Sequence, residues 1–212
     1  MHDFPNLTIL DHPLIRHKLT VLRERDTSMK LFRELVEEIS MLMAYEVTKD
    51  LPLEKCEIDT PLERTEQYRL AGKKLTIVPI LRAGLGMVEG VARLIPSARV
   101  GHIGLYREHD TLQPVDYYFK IPGGAELRDF ILLDPMLATG GSLLYTCEQI
   151  VEHNCGRLIV ACVLAAPEGL EHVAAAGFEV EVHTASVDDR LNEVGFIVPG
   201  LGDAGDRQFG AQ

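Results

Sequence analysis

Residues 130–142 restrict the fold of this chain more than any other segment. Phe130, Ile131, Leu132 and Leu133 form an apolar run that ends on Asp134. A turn of small residues follows, and residues 143–151 are amphipathic. The order reads as a buried strand, a tight loop and a helix start. A strand that is apolar on both faces has to be covered on both, which points to a parallel α/β sheet. Such a sheet keeps its ligand where the strands give way to loops.

The chemistry of this loop is anion binding. Gly140 and Gly141 permit close backbone approach, and successive N–H groups, the Thr139 and Ser142 hydroxyls and the positive end of the following helix converge on one spot. A triphosphate loop would need a lysine before its final Ser or Thr, and a dinucleotide site would need Gly-x-Gly-x-x-Gly; neither is present here. With Asp134 at the strand end, the better match is a loop for 5-phosphoribosyl diphosphate (PRPP). The acid would face the ribose hydroxyls, and the turn would hold the 5-phosphate.

At 212 residues, with 46% hydrophobic residues and a mean hydropathy of +0.05, the chain suits one α/β domain with a substantial core. The longest apolar stretches, residues 75–81 and 158–166, are far below the ~20 residues that cross a bilayer. The N-terminus lacks the basic and apolar regions of a secretory signal. A cytoplasmic protein that does not act at a membrane is expected. Cys56, Cys147, Cys155 and Cys162 form no C-x-x-C pair or zinc spacing, and are expected to be reduced packing residues. A net charge of -11 argues against a broad basic face for nucleic acid. A phosphate-rich small ligand needs only backbone donors and a few focused arginines, and Arg82 and Arg107 are the candidates.

Along the chain, Pro13 suits the first turn of a helix carrying Leu14, Lys18 and Leu22. A second helix, capped by Thr27 or Ser28, carries Leu31, Leu35, Ile39, Leu42 and Met43. Residues 56–70 are polar and extended, as in a hairpin arm suited to subunit contact. Strands are expected at 75–81, 98–106, 127–133, 158–165 and 178–183, with helices between them and a projecting loop or hairpin at 107–120. This alternation predicts a doubly wound sheet. Arg82 and Asp134, each at the end of a strand, should approach one crevice, where a guanidinium can make paired hydrogen bonds to a diphosphate. The glycine-rich segment 195–205 predicts irregular structure whose backbone groups could read the polar edge of a flat base. Asp203 and Asp206 read either as solvated loop acids or as acids that hold magnesium-bound ligand oxygens.

Taken together, several motifs resemble one family, the uracil phosphoribosyltransferases of pyrimidine salvage. They are His12-Pro13-Leu14, Val78-Pro79-Ile80-Leu81-Arg82-Ala83-Gly84-Leu85-Gly86, the segment from Asp134 to Ser142, Ala165-Ala166-Pro167-Glu168-Gly169, and Pro199-Gly200-Leu201-Gly202-Asp203-Ala204-Gly205-Asp206-Arg207. The resemblance covers nearly the whole chain. It implies a type I phosphoribosyltransferase fold, Rossmann-like, with a parallel sheet, a projecting hairpin and a C-terminal base-binding hood. The expected parts are N-terminal helices and arm at 1–74, an α/β core at 75–187 and the hood at 188–212. It also implies transfer of the phosphoribosyl group of PRPP to N1 of uracil, giving UMP and diphosphate. In that reading Arg82 and Arg107 contact the diphosphate and phosphate region of PRPP. Asp134, Pro135, Met136, Leu137, Ala138, Thr139, Gly140, Gly141 and Ser142 wrap its ribose 5-phosphate. Ile197, Gly202, Asp203 and Ala204 meet uracil, Asp203 also lies on the PRPP side, and Arg82, Arg107, Asp134 and Asp203 form the catalytic set.

Magnesium is the implied cofactor, carried through PRPP and water, and the implied assembly is a homodimer or homotetramer. GTP activates some members of the family. Pro135 stands where the wider phosphoribosyltransferase class commonly has a second acid, which leaves Asp134 with more of the ribose contact. The alternative is a non-catalytic nucleotide-binding regulator on the same fold. Orotate and purine phosphoribosyltransferases would be expected to carry the paired acids, and a uridine kinase would need the missing lysine.

Overall fold

A computed structural model describes residue 4 and residues 6–72, 74–107, 114–177 and 179–210, without the side chains of 105–107 and 114–116. Its frame is a sheet of nine strands among the described residues. The central strands are β4 (Lys74–Leu81), β8 (Arg128–Leu133) and β10 (Leu158–Ala165), in which parallel pairing joins β8 to both others. Every residue of β8 and β10 is buried. The alternating direction of strand side chains divides them between two cores. Ile77, Ile131, Leu133, Ile159 and Val163 face one side. Val78, Ile80, Phe130, Leu132 and Val160 face the other.

The first core is covered by α1 (Pro13–Arg23), α2 (Met29–Val47) and α3 (Leu85–Leu94). The second lies under α4 (Gly141–Val151) and α5 (Pro167–Ala174). The full strand order is β1 (Leu7–Ile9), β11 (Glu181–Val187), β10, β8, β4, β6 (His102–Arg107) and β7 (Pro114–Lys120). Two short strands, β5 (Arg99–Val100) and β9 (Met136–Leu137), pair with β4 and β10. From β4 the chain crosses through α3 toward β6, whereas from β8 it crosses through α4 toward β10. The two neighbouring strands therefore send the chain in opposite directions, and a crevice opens between their C-terminal ends.

Several details differ from the sequence expectation. The edge strand β7 runs antiparallel to β6, so the sheet is mixed. The strand expected at 98–106 is two pieces, because Gly101 turns its N–H to the Ile77 carbonyl between them. The last long strand begins at Glu181, after residues 179 and 180 that belong to no strand, while residue 178 lies outside the described residues; β1 adds a parallel edge beside it. Residues 53–70 form the expected hairpin, β2 (Leu53–Asp59) with β3 (Arg64–Leu70). The tip of the expected projecting loop, residues 108–113, lies outside the described residues. No helix among the described residues is long and apolar enough to cross a membrane.

Candidate active site

The crevice at the reversal point is built from two turns and a C-terminal cover. The first turn, Arg82-Ala83-Gly84, leaves β4 and leads into α3. Gly84 lies so close to the end of β8 that an added Cβ would stand 2.2 Å from the Leu133 carbonyl oxygen. This contact sets the Arg82 turn beside Asp134. The second turn runs from Asp134 through β9 to Gly140, which has a φ of 81° as the residue before α4. That left-handed conformation favours glycine, and it aims the first N–H groups of α4 into the loop.

Neither α3 nor α4 has a side-chain cap, whereas α1, α2 and the last helix, α6 (Ala204–Phe209), are capped by His12, Ser28 and Asp203. The first N–H groups of α3 are taken by the carbonyls of Arg82, Ala83 and Gly84, whereas the α4 end opens at the reversal point, where an anionic ligand can satisfy its N–H groups. Residues 134 and 136–143 enclose a cavity of about 70 Å³ at the α4 end. His172 Nδ1 lies 2.9 Å from the Thr139 carbonyl oxygen and fixes the back of this loop to α5.

A cover formed by residues 188–209 closes the other side. A short antiparallel pair, β12 (Arg190–Leu191) and β13 (Ile197–Val198), is held by Asn192, which accepts hydrogen bonds from the N–H groups of Val194 and Phe196. Glu168 of α5 accepts another from Leu191 N–H. A second cavity, about 270 Å³, lies between this cover and the turn, bounded by Met136, Ala138, Thr139, Phe196, Ile197 and Asp203, among others. Met136, Ala138 and Thr139 line both cavities, so the two adjoin across a shared wall.

Two carboxylates mark this space. Asp134 is half-buried and accepts a 3.2 Å hydrogen bond from Met136 N–H. Burial pushes its carboxyl up to about 7, and the Met136 N–H offsets only part of that. Asp203 lies across the cavity, exposed, with Oδ1 accepting from Asp206 N–H at 2.9 Å. Its side chain is thus the N-cap of α6, a role that the glycine-rich composition did not suggest. The Asp-x-x-Asp spacing was the available signal. Burial also pushes the Cys147 and Cys162 thiols up to about 12, so these two remain protonated and inert as nucleophiles near neutral pH.

Of the residues singled out in the sequence, Asp134, Met136, Leu137, Ala138, Thr139, Gly140, Gly141 and Ser142 line the smaller cavity, and Ile197, Gly202 and Asp203 line the larger. Pro135 is buried beneath the loop, with its carbonyl oxygen accepting from Leu164 N–H. Ala204 is the buried first residue of α6. Arg82 is exposed at the turn beyond β4. Arg107 ends β6, next to β4, but its side chain lies outside the described residues. Asp206 is exposed in the first turn of α6.

Sequence reasoning did not find the residues that hold the cover down. Arg23 of α1 donates to both Asp188 carboxylate oxygens and to the Gly200 carbonyl. Arg207 donates to the carbonyls of Leu22, Leu201 and Glu24 and stacks over the Phe32 ring, 4.4 Å from its centroid.

The uracil phosphoribosyltransferase family pattern matches residues 9–211 of this chain. A uracil phosphoribosyltransferase from Streptococcus pneumoniae serotype 4 is 54% identical over 206 residues, which cover 97% of this chain and 99% of the relative. One from Symbiobacterium thermophilum is 55% identical with the same coverage. Among solved structures, the AQ2163 protein from Aquifex aeolicus superposes with a TM-score of 0.91 at 38% identity, over 97% of this chain and 99% of that one. An adenine phosphoribosyl transferase from Trypanosoma brucei shares the fold at a TM-score of 0.60 and 13% identity, over 88% of this chain and 86% of that one.

Proposed function

The chain belongs to the uracil phosphoribosyltransferase family and transfers the 5-phosphoribosyl group of PRPP to N1 of uracil, giving UMP and diphosphate; from that premise we propose which residues do so. The 5-phosphate sits in the smaller cavity on the N–H groups that open α4, with the Thr139 and Ser142 hydroxyls beside it. Asp134 takes the ribose hydroxyls, and Arg82 and Arg107 hold the diphosphate. Uracil occupies the larger cavity, read by backbone groups of Ile197, Gly202, Asp203 and Ala204. The observation that carries this reading is the shared wall of Met136, Ala138 and Thr139, which joins a phosphate-sized space to a base-sized one.

In the reaction the C–N bond to uracil forms as the C–O bond to diphosphate breaks, and the N1 proton leaves. Arg82 stabilises the charge gathering on the departing diphosphate, the α4 end fixes the sugar phosphate, and the cover aligns the base. No covalent nucleophile is required. Among the described residues no three His, Cys, Asp or Glu side chains converge as a metal cage. The donor set fits magnesium carried on PRPP's own oxygens and water, with Asp134 and Asp203 as the hard oxygen donors within reach. When bound, that ion neutralises diphosphate charge.

We take residues 1–212 as one catalytic unit, with core 75–187 and hood 188–212, preceded by the arm-bearing segment 1–74. Leu53, Leu62, Tyr68 and Leu70 are exposed on the β2–β3 hairpin, which supports packing against a second copy in a homodimer or homotetramer. A cytoplasmic setting and activation by GTP belong to the same reading.

A uracil assay with PRPP and magnesium, run beside cytosine, orotate, hypoxanthine and adenine and repeated with GTP, checks the reading. UMP should be the sole nucleotide product, and Arg82→Ala should lose about 100-fold or more in kcat/KM for PRPP. Wild-type kinetics in that variant would remove Arg82 from the site. Asp203→Asn keeps the capping oxygen but cannot take a proton. If Asp203 accepts the N1 proton, turnover falls at least tenfold while folding is unchanged; an unaltered rate and pH profile would assign the carboxylate to capping alone.

A further inference from the structure

One buried side chain spans the two halves of the site. Gln208, in the last turn of α6, is fully buried. Its Nε2 donates to the Ala83 carbonyl at 3.0 Å and to the Ala204 carbonyl at 3.0 Å. Ala83 follows Arg82 in the turn assigned to diphosphate, and Ala204 follows Asp203 in the segment assigned to uracil. Both hydrogens of one amide are therefore used across the crevice. Its Oε1 is buried with no hydrogen-bond partner and rests in the space over Gly86, where an added Cβ would stand 1.6 Å away. A side chain at position 86 would thus displace the amide. The Arg33 guanidinium donates to the Gln208 backbone carbonyl and anchors this end of α6 to α2.

Buried donors have no water to turn to, so breaking either bond strands a polar group. The Arg82 turn and the first turn of α6 are consequently restrained to move as one piece. Gly205 strengthens the restraint: a Cβ built there would lie 4.0 Å from Ala83 Cβ, so helix and turn are in near contact. We propose that Gln208 is a positioning residue that couples the diphosphate half of the site to the uracil half, so that occupation of either one strengthens binding at the other. The inference rests on the site assignment above and touches no reacting atom.

Uracil and diphosphate form a suitable probe pair, because they occupy opposite halves and cannot react with each other; the reverse reaction needs UMP. The dissociation constant of uracil is measured with and without saturating magnesium diphosphate, and the reciprocal titration must return the same factor. In the wild-type enzyme diphosphate should tighten uracil binding about fivefold or more. In Gln208→Met, which keeps bulk and loses both donors, the factor should fall to within about twofold of unity while the affinity for each ligand alone changes far less. Gln208→Glu, with an acceptor facing two carbonyls, should abolish coupling as well.

A hydrogen-exchange measurement on the wild type needs no variant: diphosphate alone should slow exchange of the amides in residues 204–209. Wild-type coupling retained in Gln208→Met, no coupling in the wild type, or no protection of 204–209 would each overturn the proposal. Arg82→Ala separates this failure from that of the site assignment. Undiminished diphosphate binding there would refute the assignment, whereas lost binding together with intact coupling in Gln208→Met would refute only the role of Gln208.

Discussion

Asp134→Asn is expected to make the free enzyme more stable above neutral pH and nearly inactive. Burial holds this carboxyl up to about 7 in place of its ordinary 3.8. The folded chain therefore keeps a proton that the unfolded chain releases between about pH 4 and pH 7. Stability falls as pH rises through that window and levels off above it. A displacement of this size corresponds to at most about 4 kcal/mol at pH 8. Asparagine is nearly the same shape, can accept the Met136 N–H in the same way, and carries no charge to desolvate. Urea unfolding from pH 4 to pH 9 should show the wild type losing stability through the window and the variant lacking that slope, with the variant ahead at pH 8.

Activity should move the other way. In the wild type, kcat/KM for PRPP should climb through about pH 7 as the carboxylate forms to meet the ribose hydroxyls. In the variant that limb should disappear and the value should drop about 100-fold or more. A variant that is no more stable than wild type at pH 8 would show that Asp134 titrates as an ordinary surface acid. In the proposed site the trade follows from geometry: the acid stands at the buried mouth of the sheet, where the ribose would need it, and not where the protein alone would favour it.

Asp188→Ala should produce the largest loss of stability. Burial by itself would raise this carboxyl, but the Arg23 guanidinium, the Gly200 N–H and the Ser186 hydroxyl outweigh it and hold it below the usual carboxylate range. The side chain is 2% exposed. It accepts from Arg23 Nη1 at 2.7 Å, from Arg23 Nη2 at 2.5 Å and from Gly200 N–H at 2.8 Å, while Arg23 Nη1 also donates to the Gly200 carbonyl at 2.8 Å. Both backbone groups of Gly200 are thereby clamped, between Ile197 and Gly202, which line the larger cavity.

Removing the carboxylate strands a partly buried guanidinium and frees that turn, which should cost about 3–5 kcal/mol. KM for uracil should rise tenfold or more, with KM for PRPP changing much less. Equal changes in both constants would show that Asp188 supports the fold without shaping the base site. The pH sign is opposite to that of Asp134. Because the folded pKa is depressed, the stabilisation is in place above the ordinary carboxylate value and is lost as pH falls through the folded one. The wild type should therefore unfold in acid by release of the hood, a step that hydrogen exchange of the amides in residues 188–209 can follow.

The parts of this protein legible in the linear chain are those whose signals are local. Residues 130–133 and 158–165 are continuous apolar runs because a parallel strand covered on both faces excludes polar side chains, and the glycines after each strand mark the turns. Arg82 and Asp134 could be assigned to one crevice for the same reason, since ligands gather at the C-terminal ends of such strands. The anion-binding character proposed for residues 134–142 was legible from small residues at a helix start, a property of the backbone itself.

Other features exist only through partners distant in the chain. β1 is three residues long, too short to show a period, and becomes a strand by pairing with β11. The start of β11 was misplaced because strand propensity does not fix register; pairing with β10 does. The glycines of the C-terminal segment hid a six-residue helix that depends on the Asp203 cap and on burial of Gln208 against Ala83. Arg23 meets Asp188 across 165 residues, and Gln208 meets Ala83 across 125. No periodicity carries such information. A hydrophobic pattern reports which face of an element is buried, whereas the partner of a buried polar group is set by how the elements pack, and that packing decides the shape of the larger cavity.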